Sequence, residues 1–496
     1  MLKIKSPKNL GHQGRINFLI KDTVLYGGAA AISKASAFIT FPLLAQNLSK
    51  TDYGILDYSF TLLSLLAVFF VFGQDGSIAR YFYENEDPNQ QKQLISQSLI
   101  FQFFCISVIL PVLWFYSNSF SILLEGSREP ITLIKIILLH VPFILLINFT
   151  RNILKWTFER NKFLVVSIGP CFLQVCLLYY CIKFYSTDLK DLLKVTLLSN
   201  LIFGLLGLFL VSKWLTVPKG FKLLREMLPF AIPIGIISIA GLFLPALERT
   251  LVIKFLGTES LGDYAVATKI ALIIAFGINA FQTAWGPFSL SIYKQANAIE
   301  TYNMVLKLFC ILACIATLGI TVIADPLVAI FATDQYGSAV LLVFPLAMGL
   351  SIQGISWITE LGVSISKKSY LYLYSSLGNI VVTMIGILIG IPIFGLLGVG
   401  LAVLFGLLTK ALLASWFAQK VYPMQWQYRK IITLVSSTML TGLLAVWLQD
   451  NVSYAASISV LLIGIFITIL VGWFVFLNAS EKKSIRSIFQ QRTLKF

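Results

Sequence analysis

Charge is scarce in this sequence: only 12% of its 496 residues are Asp, Glu, Lys or Arg, while 57% are apolar. A chain of those proportions would not stay in solution, so the soluble globular classes are excluded. Histidine is scarcer still, with only His12 and His140, and the six cysteines (Cys105, Cys171, Cys176, Cys181, Cys310, Cys314) all fall inside apolar runs. A metal centre or a disulfide framework needs clustered ligands or paired thiols, so neither is expected, and no cofactor is implied. Nucleotide-binding loops, nucleophile triads and metal-ligand motifs are absent too. Long polar stretches between apolar runs are also missing. The largest expected outer loops, residues 117–130 and 325–338, are too short for a folded domain.

What is present is a succession of apolar runs of about 20 residues. At about 1.5 Å per residue each crosses the roughly 30 Å hydrocarbon core of a bilayer. Backbone polar groups find no water there, so continuous runs of this length must be helices. The expected fold class is an all-α polytopic membrane protein of about 14 transmembrane helices. The formal charge of +16 would suggest nucleic acid in a soluble protein, but the basic residues sit mainly in loops between the runs, a signal of topology. With the N-terminus inside, about 27 basic residues fall on the cytoplasmic side and about 6 outside. Both termini are therefore expected in the cytoplasm. The first run follows a basic stretch but has full span length and carries Lys34, which predicts a retained helix rather than a cleaved signal peptide.

The chain is organised around residues 38–83, which hold the end of one run, a short polar turn, a second run, and an exit at Arg80, Tyr81 and Phe82. This is a membrane helical hairpin. Its Pro42-Leu43-Leu44-Ala45, Leu48, Asp52-Tyr53-Gly54, Phe72-Gly73 and Ala79-Arg80-Tyr81 resemble the opening of bacterial polysaccharide flippases. These form the Wzx-type, O-antigen flippase branch of the multidrug/oligosaccharidyl-lipid/polysaccharide exporter superfamily. An internal repeat accompanies it: residues 48–54 and 256–262 are both short turns ending in glycine with a tyrosine soon after, Tyr58 and Tyr264. Six helices separate them, so the two halves share one orientation, and transporters place substrate paths between such halves.

Repeat and resemblance together predict a basic tail (1–22), an N-lobe of six helices (23–214), an inter-lobe loop (215–227) and a C-lobe of six (228–420). A further helix pair (430–477) and a basic amphipathic tail (478–496) complete the chain. The tail and the inner loops 80–97 and 213–226 mix basic with apolar residues, as segments lying on an anionic membrane surface do.

Charges inside spans cost a few kcal/mol and must face protein or water. Lys34, Arg249 and Lys269 are candidates to line a substrate path, with Arg80 at its entrance. The competing readings are a packing ion pair for Lys34, snorkelling for Lys269, neutralisation by Glu248 or another acid for Arg249, and headgroup anchoring for Arg80. Lys135 and Lys410 read as snorkelling or boundary residues. Asp57, Asp75, Glu248 and Glu360 are candidates for charge pairing or ion coupling. Asn279, Gln282 and Trp285 could wet a cavity or bond a neighbouring helix, and Gly386 with Gly390 forms a small-residue packing motif.

The resemblance implies a non-enzymatic secondary transporter in the bacterial inner membrane. Its partner would be an anionic lipid-linked oligosaccharide, an undecaprenyl-pyrophosphate-linked repeat unit for O-antigen, capsule or exopolysaccharide. Membrane lipids, other polysaccharide-assembly proteins and no nucleic acid would complete its contacts. Two rivals are weighed. A drug exporter of the multidrug branch would be expected to carry a carboxylate in its first helix and stop at twelve spans. A polysaccharide polymerase or ligase would need a sizeable outer loop.

Overall fold

The computed structural model describes residues 38–84, 87–124, 126–295, 298–366 and 370–476 with a few isolated positions, less the side chains of some helical residues, Arg80 among them. Lys34, the basic N-terminal stretch and the C-terminal tail lie outside the described residues. Among the described residues every element is a helix. The long helices are α1 (Lys50–Val71), α2 (Gln74–Glu84), α3 (Pro88–Phe115), α4 (Pro130–Trp156), α5 (Arg160–Phe184), α6 (Leu189–Val211) and α7 (Lys222–Ile292). They continue as α8 (Ala298–Val322), α9 (Ala339–Thr359), α10 (Tyr370–Phe394), α11 (Leu396–Val421), α12 (Tyr428–Asn451) and α13 (Tyr454–Val471).

Twelve stretches among the described residues are long and apolar enough to cross a membrane. One of them, Ile234–Gln282 within α7, runs 49 residues, more than twice the length of one crossing. Gly257, at φ 82° and ψ 177°, breaks the helical path inside it, so α7 supplies two crossings. The residues that end the expected first span, 38–45, are helical. The protein is a multi-pass membrane protein of all-helical class.

Two compact units divide after Gly262. The first contains α1 to α6 and the first segment of α7; the second contains the rest. In the first unit the helix boundaries run past the apolar runs. The loop expected over residues 80–97 is instead the end of α2 and the first turns of α3. Polar residues there are drawn into the packing: Gln91, Ser96 and Gln97 are buried, Gln91 donating to the Phe82 carbonyl, Ser96 accepting from the Thr216 amide and Gln97 from the Leu224 amide. Asp87 caps α3, its carboxylate accepting from the Asn89 amide at 2.9 Å. Between α1 and α2 the chain passes through left-handed backbone at Phe72 (φ 49°) and Gly73 (φ 70°), which ends the first helix abruptly.

In the second unit the small-residue motif has a partner. Gly390 faces Gly398 backbone to backbone, and Gly386 faces the Ala402 methyl, so at these positions α10 and α11 approach with nothing larger than a methyl between them.

Candidate functional site

The first unit builds its charged centre from two helices. Ser49 caps α1, its Oγ accepting from the Asp52 amide at 3.1 Å, and this places Asp57 and Tyr58 about two turns inside the helix. Arg249 and Thr250 stand at neighbouring positions in the first segment of α7. Arg249 donates from Nε at 2.9 Å and from Nη2 at 2.7 Å to Asp57 Oδ2, and from Nη1 to the Pro245 carbonyl at 3.1 Å. Tyr58 and Thr250 share a hydroxyl–hydroxyl bond of 2.5 Å beside this pair. Asp57 is 4% exposed and Arg249 5%, so both charges are out of water. Stripping water from two ions costs several kcal/mol each, and the converging charge-assisted bonds are what offset it.

Glycines let the helices approach this closely. A Cβ on Gly54 would lie 2.6 Å from the Gly262 amide nitrogen, and one on Gly262 would run into the Lys50 carbonyl. These are the closing glycines of the two repeated segments; rather than free turns, the segments are the start of α1 and the stretch of α7 around the Gly257 break, and their glycines pack against each other. Further along, Gly235 of α7 sits against Phe72, where an added Cβ would come within 2.8 Å of its carbonyl carbon.

A second polar cluster lies at the α1–α2 break. Gln74 Oε1 accepts from Ser98 Oγ and, at 3.3 Å, from Gln102 Nε2. Half-buried Asp75 stands beside Arg151 and Asn152 of α4, and Arg151 donates to Asn148 at 3.0 Å. The α4–α5 turn carries Glu159, which binds Lys162, Lys213 and the Trp214 indole, each at 2.8 Å. Burial pushes its carboxyl up, but these three partners outweigh burial and hold it below the ordinary glutamate value. At the expected outer end, a pocket of about 230 Å³ is lined by Asp52, Arg128, Glu129, Asp188 and Lys190. Lys190 bridges Glu129 at 2.9 Å and Asp188 at 3.5 Å, and its hydrogen bond and charge hold the Glu129 carboxyl low.

In the second unit Glu360 ends α9, with Lys410 of α11 and Tyr372 of α10 as its charged and phenolic neighbours. Tyr372 is in turn bonded to Ser364 at 2.7 Å, and Thr359 to Ser415 at 2.6 Å. Lys410, expected to snorkel or sit at a boundary, is near enough to Glu360 for its charge to act on that carboxylate.

Lys269 is half-buried on the second segment of α7, Glu248 is buried beside Arg249, and Arg80 lies in α2 with its side chain outside the described residues. Asn279 turns back to the Ala275 carbonyl at 2.6 Å, Gln282 is exposed, and Trp285 stacks on Phe281 with ring centroids 5.7 Å apart. Sequence reasoning missed Lys307, which is 2% exposed on α8, two residues inside the start of an apolar run. It also missed Arg151, placed in a loop although α4 extends through it.

The profile of a family described as polysaccharide biosynthesis protein matches residues 19–292, more than half of the chain. The chain belongs to this polysaccharide biosynthesis protein family. The matched residues include the hairpin on which the resemblance was first drawn, together with Asp57, Arg249 and Lys269; Glu360 and Lys410 lie beyond them. The chain is 28% identical to a Haemophilus influenzae protein named Lsg locus putative protein 1, over 57% of this chain and 68% of that one. It is 26% identical to the EPS I polysaccharide export inner membrane protein EpsE of Ralstonia nicotianae, over 33% of this chain and 38% of that one.

Among solved structures, the lipid II flippase MurJ in an inward closed conformation aligns with a TM-score of 0.67 at 14% identity, over 90% of this chain and 98% of that one. An inward-facing multidrug resistance MATE transporter of the MOP superfamily also aligns at 0.67 and 14%, over 82% and 96%. At these identities the likeness shows the fold. This member of the polysaccharide biosynthesis family has the fold of MOP-superfamily transporters.

Proposed function

We propose that this protein is a flippase that moves an undecaprenyl-pyrophosphate-linked oligosaccharide from the inner to the outer leaflet of the bacterial cytoplasmic membrane by alternating access. It serves assembly of O-antigen, capsule or exopolysaccharide, beside other assembly proteins. The observation that carries this reading is the family match over residues 19–292. Excess cationic charge within the spans supports it, because a pyrophosphate crossing a low-dielectric region needs cations along its path. In this proposal Lys34 and Lys269 meet the headgroup, Arg80 stands at the entrance, and Arg249 acts from within its pair with Asp57. Asp75, Glu248 and Glu360 balance charge, and the Glu360–Lys410 pair is the candidate for ion coupling. The two six-helix lobes and both cytoplasmic termini expected from the sequence belong to the same proposal.

The energetics permit it without a coupled ion. With the cytoplasm negative, each negative charge carried outward gains about 2.3 kcal/mol per 100 mV. The test is outer-leaflet appearance of a lipid-linked oligosaccharide in proteoliposomes, comparing wild type with Lys34→Ala at equal protein. Transport in wild type that is lost in the variant supports a flippase with a cationic path; transport unchanged by the substitution removes Lys34 from the path.

One observation favours a second reading, a drug/cation antiporter: the MATE transporter aligns with the same TM-score as MurJ. Proton- or sodium-driven uptake of a cationic dye into the same vesicles, with no lipid-linked sugar moved, is the result that selects it.

A further inference from the structure

The segment joining α6 to α7 is held in place along its whole length. Glu159 binds Lys213 and the Trp214 indole at its start. Three side chains on one face of α3 then hold its backbone. Ser96 Oγ accepts from the Thr216 amide at 2.8 Å, Gln97 Oε1 accepts from the Leu224 amide at 3.1 Å, and Gln93 both donates to the Val217 carbonyl at 2.9 Å and accepts from the Lys219 amide at 2.8 Å. Positions 93, 96 and 97 are neighbours on a helix face, so the three bind as one surface. Tyr81 closes the far end by donating to the Glu226 carbonyl at 3.0 Å.

These bonds fix which side chains point in and which point out. Trp214, Leu224 and Met227 are buried in the core of the first unit, where Trp214 meets Phe82 edge-on. Val217 is 82% exposed and Phe221 53% exposed, while Lys219, Lys222 and Arg225 around them are exposed too. Glu226 is the one acid between Ser212 and Glu226. A loop in water has no reason to hold a valine and a phenylalanine outward on a backbone fixed this way. Here the loop leaves one membrane span and enters the next, so it lies at the bilayer surface.

We propose that this strap is an anionic-lipid docking surface. Val217 and Phe221 enter the headgroup–acyl boundary, and Lys219, Lys222 and Arg225 bind the phosphates of acidic phospholipids around them. Apolar tips inside a basic collar are complementary to a negatively charged leaflet and to nothing neutral. The charge pattern assigns this leaflet to the cytoplasmic side. The proposal rests on the membrane-spanning fold and not on what is transported.

The test uses the full chain with its six cysteines replaced by alanine or serine and one nitroxide at position 217 or 221. The protein is placed in nanodiscs of phosphatidylcholine with or without phosphatidylglycerol. Relaxation by oxygen against a water-soluble nickel complex reports depth and never touches transport, so its outcome is separate from the flippase assay. Both labels are expected in the lipid boundary when phosphatidylglycerol is present and closer to water without it. Lys219→Glu, Lys222→Glu and Arg225→Glu together should cancel the effect of phosphatidylglycerol, each contributing roughly five-fold to the partition. Gln93→Ala with Gln97→Ala should loosen the label's spectrum. Labels that stay in water in anionic discs overturn the proposal, and so does a depth indifferent to both phosphatidylglycerol and the charge reversals.

Discussion

Asp57 and Arg249 lie 192 positions apart in sequence and form an ion pair with 2.7 Å between Arg249 Nη2 and Asp57 Oδ2. Removing one member leaves the other charge buried alone. Arg249→Met and Asp57→Leu should each lower stability by about 3–5 kcal/mol, whereas the double substitution should recover most of that loss. Thermal unfolding of the purified protein in one detergent measures all three, and an additive double variant would mean that the charges do not interact. Glu159 gives a pH-dependent counterpart. Its folded pKa is depressed, so its contribution is present above the unfolded glutamate value and lost as pH falls through the lower folded value. The protection of the amides of residues 213–217, measured against their intrinsic exchange rate at each pH, should therefore fall on acidification below the ordinary glutamate range. Glu159→Gln should make exchange faster at neutral pH and remove that dependence.

Helix pairs in this protein meet where side chains are missing. The α10–α11 seam tolerates nothing larger than hydrogen at Gly390, where an added Cβ would come within 2.9 Å of the Gly398 carbonyl oxygen. Backbone cannot yield there without separating the helices. Gly390→Leu should abolish monodisperse folded protein or cost several kcal/mol, as overpacking does. Gly241, with nothing within 4 Å of an added Cβ, is the control: Gly241→Ala should be neutral or stabilise by up to about 1 kcal/mol. Size-exclusion profiles and melting temperatures of the two variants distinguish a steric seam from a general intolerance of substituted glycine.

For the whole molecule, the proposed function makes the direction of transport depend on the charge carried. If the carried headgroup is anionic and the carrier uncoupled, flux should rise as the interior of the vesicles' cytoplasmic-equivalent side is made more negative, by up to about 2.3 kcal/mol of driving force per charge per 100 mV. Potentials set by potassium and valinomycin, with proton and sodium gradients collapsed, measure this. Flux that vanishes when those gradients are removed at fixed potential would instead establish ion coupling, and Glu360→Gln would then be expected to reduce it.

Composition and run length by themselves determined that this chain spans a membrane as helices, because lipid offers the backbone no other partner. Local residue order also sufficed for the family resemblance and for the small-residue motif of α10. The tertiary structure decided which group Arg249 meets. Helix rotation is set by packing, so nothing in the sequence around Arg249 could say that its partner is Asp57 of α1 rather than adjacent Glu248, or that Lys410 is near enough to Glu360 to act on it. Packing also decided the fate of polar residues at span ends. Gln93, Ser96 and Gln97 read as loop until α3 is seen to extend beneath the α6–α7 segment and bind its backbone, an arrangement that depends on residues more than a hundred positions away.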